Sequence, residues 1–206
     1  MNSTPAKIDL NDSALAGRLL DSLERLKLAA SEDPVEAALA IALAMRIAQL
    51  FCYQRLKRIA GQFPATIQTL LRTPKILQNS ALTDPQEFIE FLDLIDLMSE
   101  TDLKCIAPRL HRGWQDKVQS CQSARQLTQA ELKYTIDADM RKSLLLALEI
   151  YNRTYLLPPP ITFESQAVKQ ALASLLVLIE KLVPEVDREK LLPIIAKLRS
   201  SNGTQE

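Results

Sequence analysis

Apolar and polar positions along the chain recur at helical intervals almost throughout. Leu15, Leu19, Leu23 and Leu26 fall on one face of a first helix. Asn11-Asp12-Ser13 supplies capping side chains ahead of it, and the predicted helix runs to about Ala30. Asp33-Pro34 joins an N-cap to a proline at the first helical position. It opens a long helix through Val35, Leu39, Leu43, Ile47, Leu50 and Leu56, predicted to end at Gly61 as a left-handed C′ residue. The apolar residues of this segment, with alanines at 37, 38, 40, 42, 44 and 48, cover most of its circumference. Such a helix is expected at the centre of a bundle or in a dimer seam.

Pro64 and Pro74 each head a short helical piece, since proline suits a first turn but not an interior. Thr83-Asp84-Pro85 repeats the cap-then-proline signal for a helix to about Met98. Acids at 87, 90, 93 and 96 form a solvated stripe there, opposite Phe88, Phe91, Leu92, Ile95 and Met98. Thr101-Asp102 starts a short helix that Pro108 shapes or ends. The polar stretch 109–126 is expected to hold one helix after Gly113, and a loop. Thr128-Gln129-Ala130-Glu131 reads as a capping box, opening a helix through Met140 and Leu144-Leu145-Leu146 to about Tyr155. Pro158-Pro159-Pro160 forces an extended connector. It is read as the boundary between a helical bundle, residues 1–157, and a C-terminal helical hairpin, residues 158–206, packed on the same domain. The hairpin arms are Ser165 to Val183 and Asp187 to Arg199, turned at Val183-Pro184-Glu185, with Pro193 kinking the second arm or marking its true start; Ser200 to Glu206 should fray.

Composition agrees with this all-α reading. Only 4 of 206 residues are glycine, which disfavours tight hairpins and glycine-rich phosphate loops. The expected fold is an irregular multi-helix bundle with a C-terminal helical hairpin. The three cysteines (Cys52, Cys105, Cys121) show no CxxC spacing and read as reduced thiols. The polar N-terminus lacks a signal-peptide layout, and the uncharged run Ala37 to Met45 is too short to span a bilayer. A cytoplasmic protein without a transmembrane segment is the expectation.

Net charge is zero, from 25 basic and 25 acidic residues, but the charges are segregated. Ala37 through Thr83 contains no acid and carries Arg46, Arg55, Lys57, Arg58, Arg72 and Lys75. Asp84 to Glu100 contains no Lys or Arg and carries six acids. The two stretches are expected mostly to pair with each other inside the chain.

The segment Leu56-Lys57-Arg58-Ile59-Ala60-Gly61-Gln62-Phe63-Pro64-Ala65-Thr66-Ile67-Gln68-Thr69-Leu70-Leu71 resembles the helix-turn-helix of LacI-type bacterial regulators. The resemblance implies a turn at Ala60 and Gly61. It puts Ala65, Thr66, Gln68 and Thr69 toward the major groove and Ile67 and Leu71 toward the core. Lys57, Arg58, Arg72 and Lys75 would neutralise phosphates. The chain departs from that pattern at Lys57, where the family has a small buried residue, and at Gln62-Phe63, where it has an apolar residue and then serine.

A second basic cluster, Arg109, His111, Arg112 and Lys117, gathers around Trp114. Trp beside Arg suits a partner's pocket as well as it suits a core anchor. One histidine excludes a multi-histidine zinc site, and no Glu-x-x-His pair is present for a di-iron bundle. No catalytic residue, cofactor or metal is therefore expected. The reading is a non-enzymatic protein–protein interaction module: an adaptor, assembly factor or regulatory subunit. Its partner would be another protein or a second copy of the chain, as a homodimer. Contact is expected through Arg109, His111, Arg112, Trp114 and Lys117, and through Leu172, Leu175, Leu176 and Ile179 of the hairpin. The alternative is a nucleic-acid-binding regulator using Lys57, Arg58, Thr66, Gln68, Arg72 and Lys75.

Overall fold

The structure, a computed structural model, describes residues 12–26, 33–63, 91–99, 118–156 and 163–203. Seven α-helices fall among them: α1 (Asp12–Leu26), α2 (Pro34–Ile59), α3 (Phe91–Met98), α4 (Val118–Leu132), α5 (Ala138–Leu156), α6 (Ser165–Leu182) and α7 (Arg188–Gly203). This is an all-α multi-helix bundle, as the periodicity predicts.

Helix α2 is its axis. The Asp33 carboxylate accepts from the Val35 N–H at 2.8 Å, which satisfies one of the amides orphaned at the helix start. Along α2, Ala37, Ala40, Ile41, Ala44, Ile47, Ala48, Phe51, Cys52 and Leu56 are buried in one core. The small alanines let neighbouring backbones come close, and α1, α3, α4, α5 and α6 all pack against this one helix. By length and composition Val35–Leu56 is able to cross a membrane, and 61% of its apolar window is buried inside the bundle. Among the described side chains of α2, the exposed large apolar ones are Val35 and Leu39, both near its start.

The end of α2 departs from expectation. No described glycine has positive φ, so Gly61 is not a left-handed C′ residue. The chain tightens instead into a 3₁₀ turn, Ala60–Gln62, a common way to use the last carbonyls of a helix. Phe63 is then buried in the core.

Helix α4 overturns the predicted capping box. Thr128 and Glu131 lie within α4, and Thr128 is buried. The helix stops one turn later, where Lys133 adopts φ 50° and its N–H reaches the Gln129 carbonyl at 2.9 Å. A left-handed lysine is an uncommon terminator, and nothing in its residue type announces it. The next helix is capped by Asp137, whose carboxylate accepts from the Met140 N–H at 2.8 Å. Between the two helices Ile136 bridges to Ser99, with its N–H on the Met98 carbonyl at 2.9 Å.

Helix α3 is held by charge as well as by Ile95, Leu97 and Met98. Asp96, expected on a solvated stripe, is 2% exposed and pairs with Arg141 of α5 at 2.9 Å. Ser99 ends the segment: its hydroxyl donates to the Ile95 carbonyl at 2.7 Å, and its own carbonyl accepts from Gln129 and Arg125 of α4. A buried carboxylate is tolerable here because a guanidinium meets it. The partner of Asp96 is thus α5, not the basic stretch 46–75.

The C-terminal arms form as predicted in outline. Val183 and Pro184 turn the chain in extended conformation, as a residue preceding proline favours. A 3₁₀ turn, Glu185–Asp187, then leads into α7. Pro193 lies inside α7 rather than at its start, and α7 continues to Gly203, past the point expected to fray. Helix α6 packs on α2, α5 and α7, and α1 touches α7, so residues on both sides of 158–160 share one core.

Phe51 is wholly buried on the axis helix. Phe51→Ala should cost about 3–5 kcal/mol of unfolding free energy, whereas Val186→Ala, at an exposed position, should stay within about 0.5 kcal/mol. Urea unfolding of both variants checks this.

Candidate functional site

The last turn of α2, the ends of α4 and α6 and the start of α7 meet at one side of the bundle. Around that junction lies a cleft of about 680 Å³, within the range of ligand clefts, roughly 300–1,000 Å³. Its wall combines Arg55 and Arg58 from α2, Lys133 and Tyr134 from the α4–α5 turn, Lys181 from α6 and Arg188 from α7, with Glu131, Glu180 and Glu185 among them.

Arg55 organises the junction. Its Nη2 donates to the Glu131 carbonyl at 2.6 Å, and its Nη1 to the Lys181 carbonyl at 3.3 Å. Both acceptors belong to last turns, where carbonyls lack partners within the helix and the helix dipole favours a cation. One guanidinium thereby ties α4 and α6 to α2, a geometry suited to its planar fork. Burial pulls the Arg55 guanidinium below its ordinary value; the Glu131 charge acts upward, and Arg188 and Arg58 act downward. The influence of the two other arginines means that three cations share this corner. Burial, and to a lesser degree Asp137, raises the Tyr134 phenol above its ordinary 10.0, so it stays protonated at neutral pH.

The charges on the wall are unevenly matched. Glu180 pairs with Arg199, and Glu185 with Arg188 at 3.2 Å. Arg58, Lys133 and Lys181 are exposed, and no ion pair joins their side chains to a carboxylate among the described residues. A chain with no net charge therefore carries a locally positive concave surface, where fields are focused.

The residues expected to meet a partner are distributed differently. Leu172, Leu175, Leu176 and Ile179 are buried at 0–3% exposure in the chain's own core. Helix α6 packs on α2, α5 and α7, so these side chains offer no open seam, which corrects their assignment to a partner surface. Arg109, His111, Arg112, Trp114 and Lys117 lie outside the described residues, as do Thr66, Gln68, Arg72, Lys75 and the side chain of Lys57. Of the nucleic-acid set, Arg58 is described, and it opens onto the cleft. Arg55 contacts helix-end carbonyls and not the acidic stretch. The sequence reading missed Lys133, Tyr134, Lys181 and Arg188 altogether. Their faint signal is that Lys133 and Lys181 sit at helix C-termini, where cations are favoured; their convergence has no signature along the chain.

Cys52, one helical turn before Arg55, is buried, and desolvation pushes its thiol from 9.0 up to about 12, against a smaller downward pull from Arg55. Such a thiol is protonated and inert.

Neither a known protein family, nor a curated protein, nor a solved structure matches this chain.

Two predictions follow from this geometry. Arg55→Ala should remove about 1–3 kcal/mol of stability, because two helix-end carbonyls lose a charged donor. Arg55→Lys should restore only part of it, as read by thermal or urea unfolding. The Cys52 thiol ionises at higher pH folded than unfolded, so the folded state holds the extra proton between 9.0 and about 12. Stability should therefore fall as pH rises from about 9 toward 12. In Cys52→Ala that component of the slope should vanish when urea midpoints are compared across this range.

Proposed function

We propose that this protein is a non-enzymatic interaction module, a helical scaffold that presents the cleft at the α2–α4–α6–α7 junction to a partner protein. The observation that carries the reading is the set of exposed cations, Arg58, Lys133 and Lys181, on a concave wall whose backbone is fixed by the Arg55 clamp. Cations that converge on one concave surface from fixed helix ends favour recognition over simple solubility, because the fold sets where their stems start. The reading takes α2 as the core helix of a cytoplasmic protein, supported by the packing of five helices around it. Binding through an open α6 seam is no longer part of it.

Nucleic-acid binding is the second reading, favoured by Arg58, which is exposed and opens onto the cleft beside two other arginines. The acids on the same wall speak against a polyphosphate track.

The two separate in one experiment. Tagged wild-type chain and the Arg58→Glu/Lys181→Glu variant are used to recover partners from native lysate, with and without nuclease. The module reading expects a discrete protein recovered by wild type, resistant to nuclease and depleted with the variant. Identical recovery by both chains overturns it, and recovery abolished by nuclease transfers the cleft to the nucleic-acid reading.

A further inference from the structure

The mixture of charges on the cleft wall narrows what binds there. Five cationic residues line it, and three carboxylates stand among them. Glu180 and Glu185 are each held by an arginine, but Glu131 lies beside Arg55 and contributes negative charge within the cleft. A nucleic-acid strand brings a phosphate at every nucleotide, and at least one phosphate would meet a carboxylate. A peptide carries its charges at chosen positions and can place a neutral or basic residue opposite Glu131. Leu192, half-buried on the same wall, adds a little apolar surface for a side chain lying between charged ones.

We infer that the cleft is a receptor for a short acidic segment of a partner protein, its carboxylates held by Arg58, Lys133 and Lys181. This deepens the interaction-module reading and rests on it. Arg58 supplies a planar fork for bidentate contact with a carboxylate, and the two lysines act as point charges on the facing helix ends. The protonated Tyr134 hydroxyl is available as a further donor on the same wall. Arg55, already committed to the Glu131 and Lys181 carbonyls, keeps these groups in register. It is a positioning residue. Exposed charges of this kind set encounter rate and specificity, and their contribution weakens as salt screens them.

The test is fluorescence anisotropy on the full chain with three probes: a short glutamate-rich peptide with neutral residues between its glutamates, the same peptide with lysine in place of each glutamate, and a single-stranded oligonucleotide. The glutamate-rich peptide should bind, progressively less well as salt is raised, and the lysine-rich one should not. Arg58→Glu/Lys133→Glu should weaken the glutamate peptide about tenfold or more, as expected for charge reversal at two contacts. Arg46→Glu, exposed on α2 away from the cleft, should leave it unchanged, and circular dichroism verifies that both variants fold. Equal weakening by both variants, or no binding of the acidic peptide, overturns the inference. So does tighter binding of the oligonucleotide with the same sensitivity to Arg58 and Lys133. If cleft substitutions deplete a lysate partner while the glutamate peptide is indifferent to them, the ligand class is wrong and the module reading stands; if neither responds, both fail.

Discussion

The burial of α2 is the constraint from which the rest of this architecture follows. A 26-residue helix with apolar or small residues around most of its circumference cannot be covered by one partner helix. It needs neighbours on several sides, and the chain supplies α1, α3, α4, α5 and α6. Alanines at 37, 40, 44 and 48 keep the contact distances short, while Ile41, Ile47, Phe51 and Leu56 fill the space between. This division of labour between small and large residues favours close packing. It also makes the bundle irregular, since five helices around one axis have no simple repeating geometry.

Covering the axis brings several helix ends to its far end, and helix ends carry unsatisfied backbone groups. Arg55 resolves part of that problem by donating to the last turns of α4 and α6. Asp96 and Arg141 solve a related one between α3 and α5, where a charged stripe turns inward. Ser99, Gln129 and Arg125 extend this polar seam by closing the end of α3 against α4. In both places the polar contacts are few and specific, so they align helices that apolar packing alone would let slide. The cleft is a consequence of the same arrangement: helices that terminate together leave a hollow, and cations favoured at their C-termini line it.

Much of the fold was legible in the residues themselves. Asp33-Pro34 named the start of α2, the leucine spacing placed α1 and α6, and Val183-Pro184-Glu185 placed the turn before α7. Where the reading failed, a local signal was outweighed by packing. Thr128 and Glu131 have the chemistry of a capping box, but the apolar positions of α4 continue through them, and the helix extends until Lys133 takes a left-handed conformation. Asp137, an equally ordinary cap, is the one used. Gly61 offered a left-handed stop that a 3₁₀ turn made unnecessary. Asp96 looked solvated because its neighbours in the stripe are acids three residues apart, a spacing that drifts around a helix of 3.6 residues per turn.

The sequence by itself determined the class of the protein, all-α, and the identity of its buried axis, because helical periodicity and capping chemistry are local properties. Only the tertiary structure decided which surfaces remain open. Leu172, Leu175, Leu176 and Ile179 have the pattern of a partner-binding stripe, and whether such a stripe is core or interface depends on which helices cover it. Likewise Arg58, Lys133, Lys181 and Arg188 are separated by up to 130 positions, and nothing in their spacing relates them. They become one site because two helices end and a third begins beside α2, and the meeting of distant segments is a property of packing that periodicity does not encode.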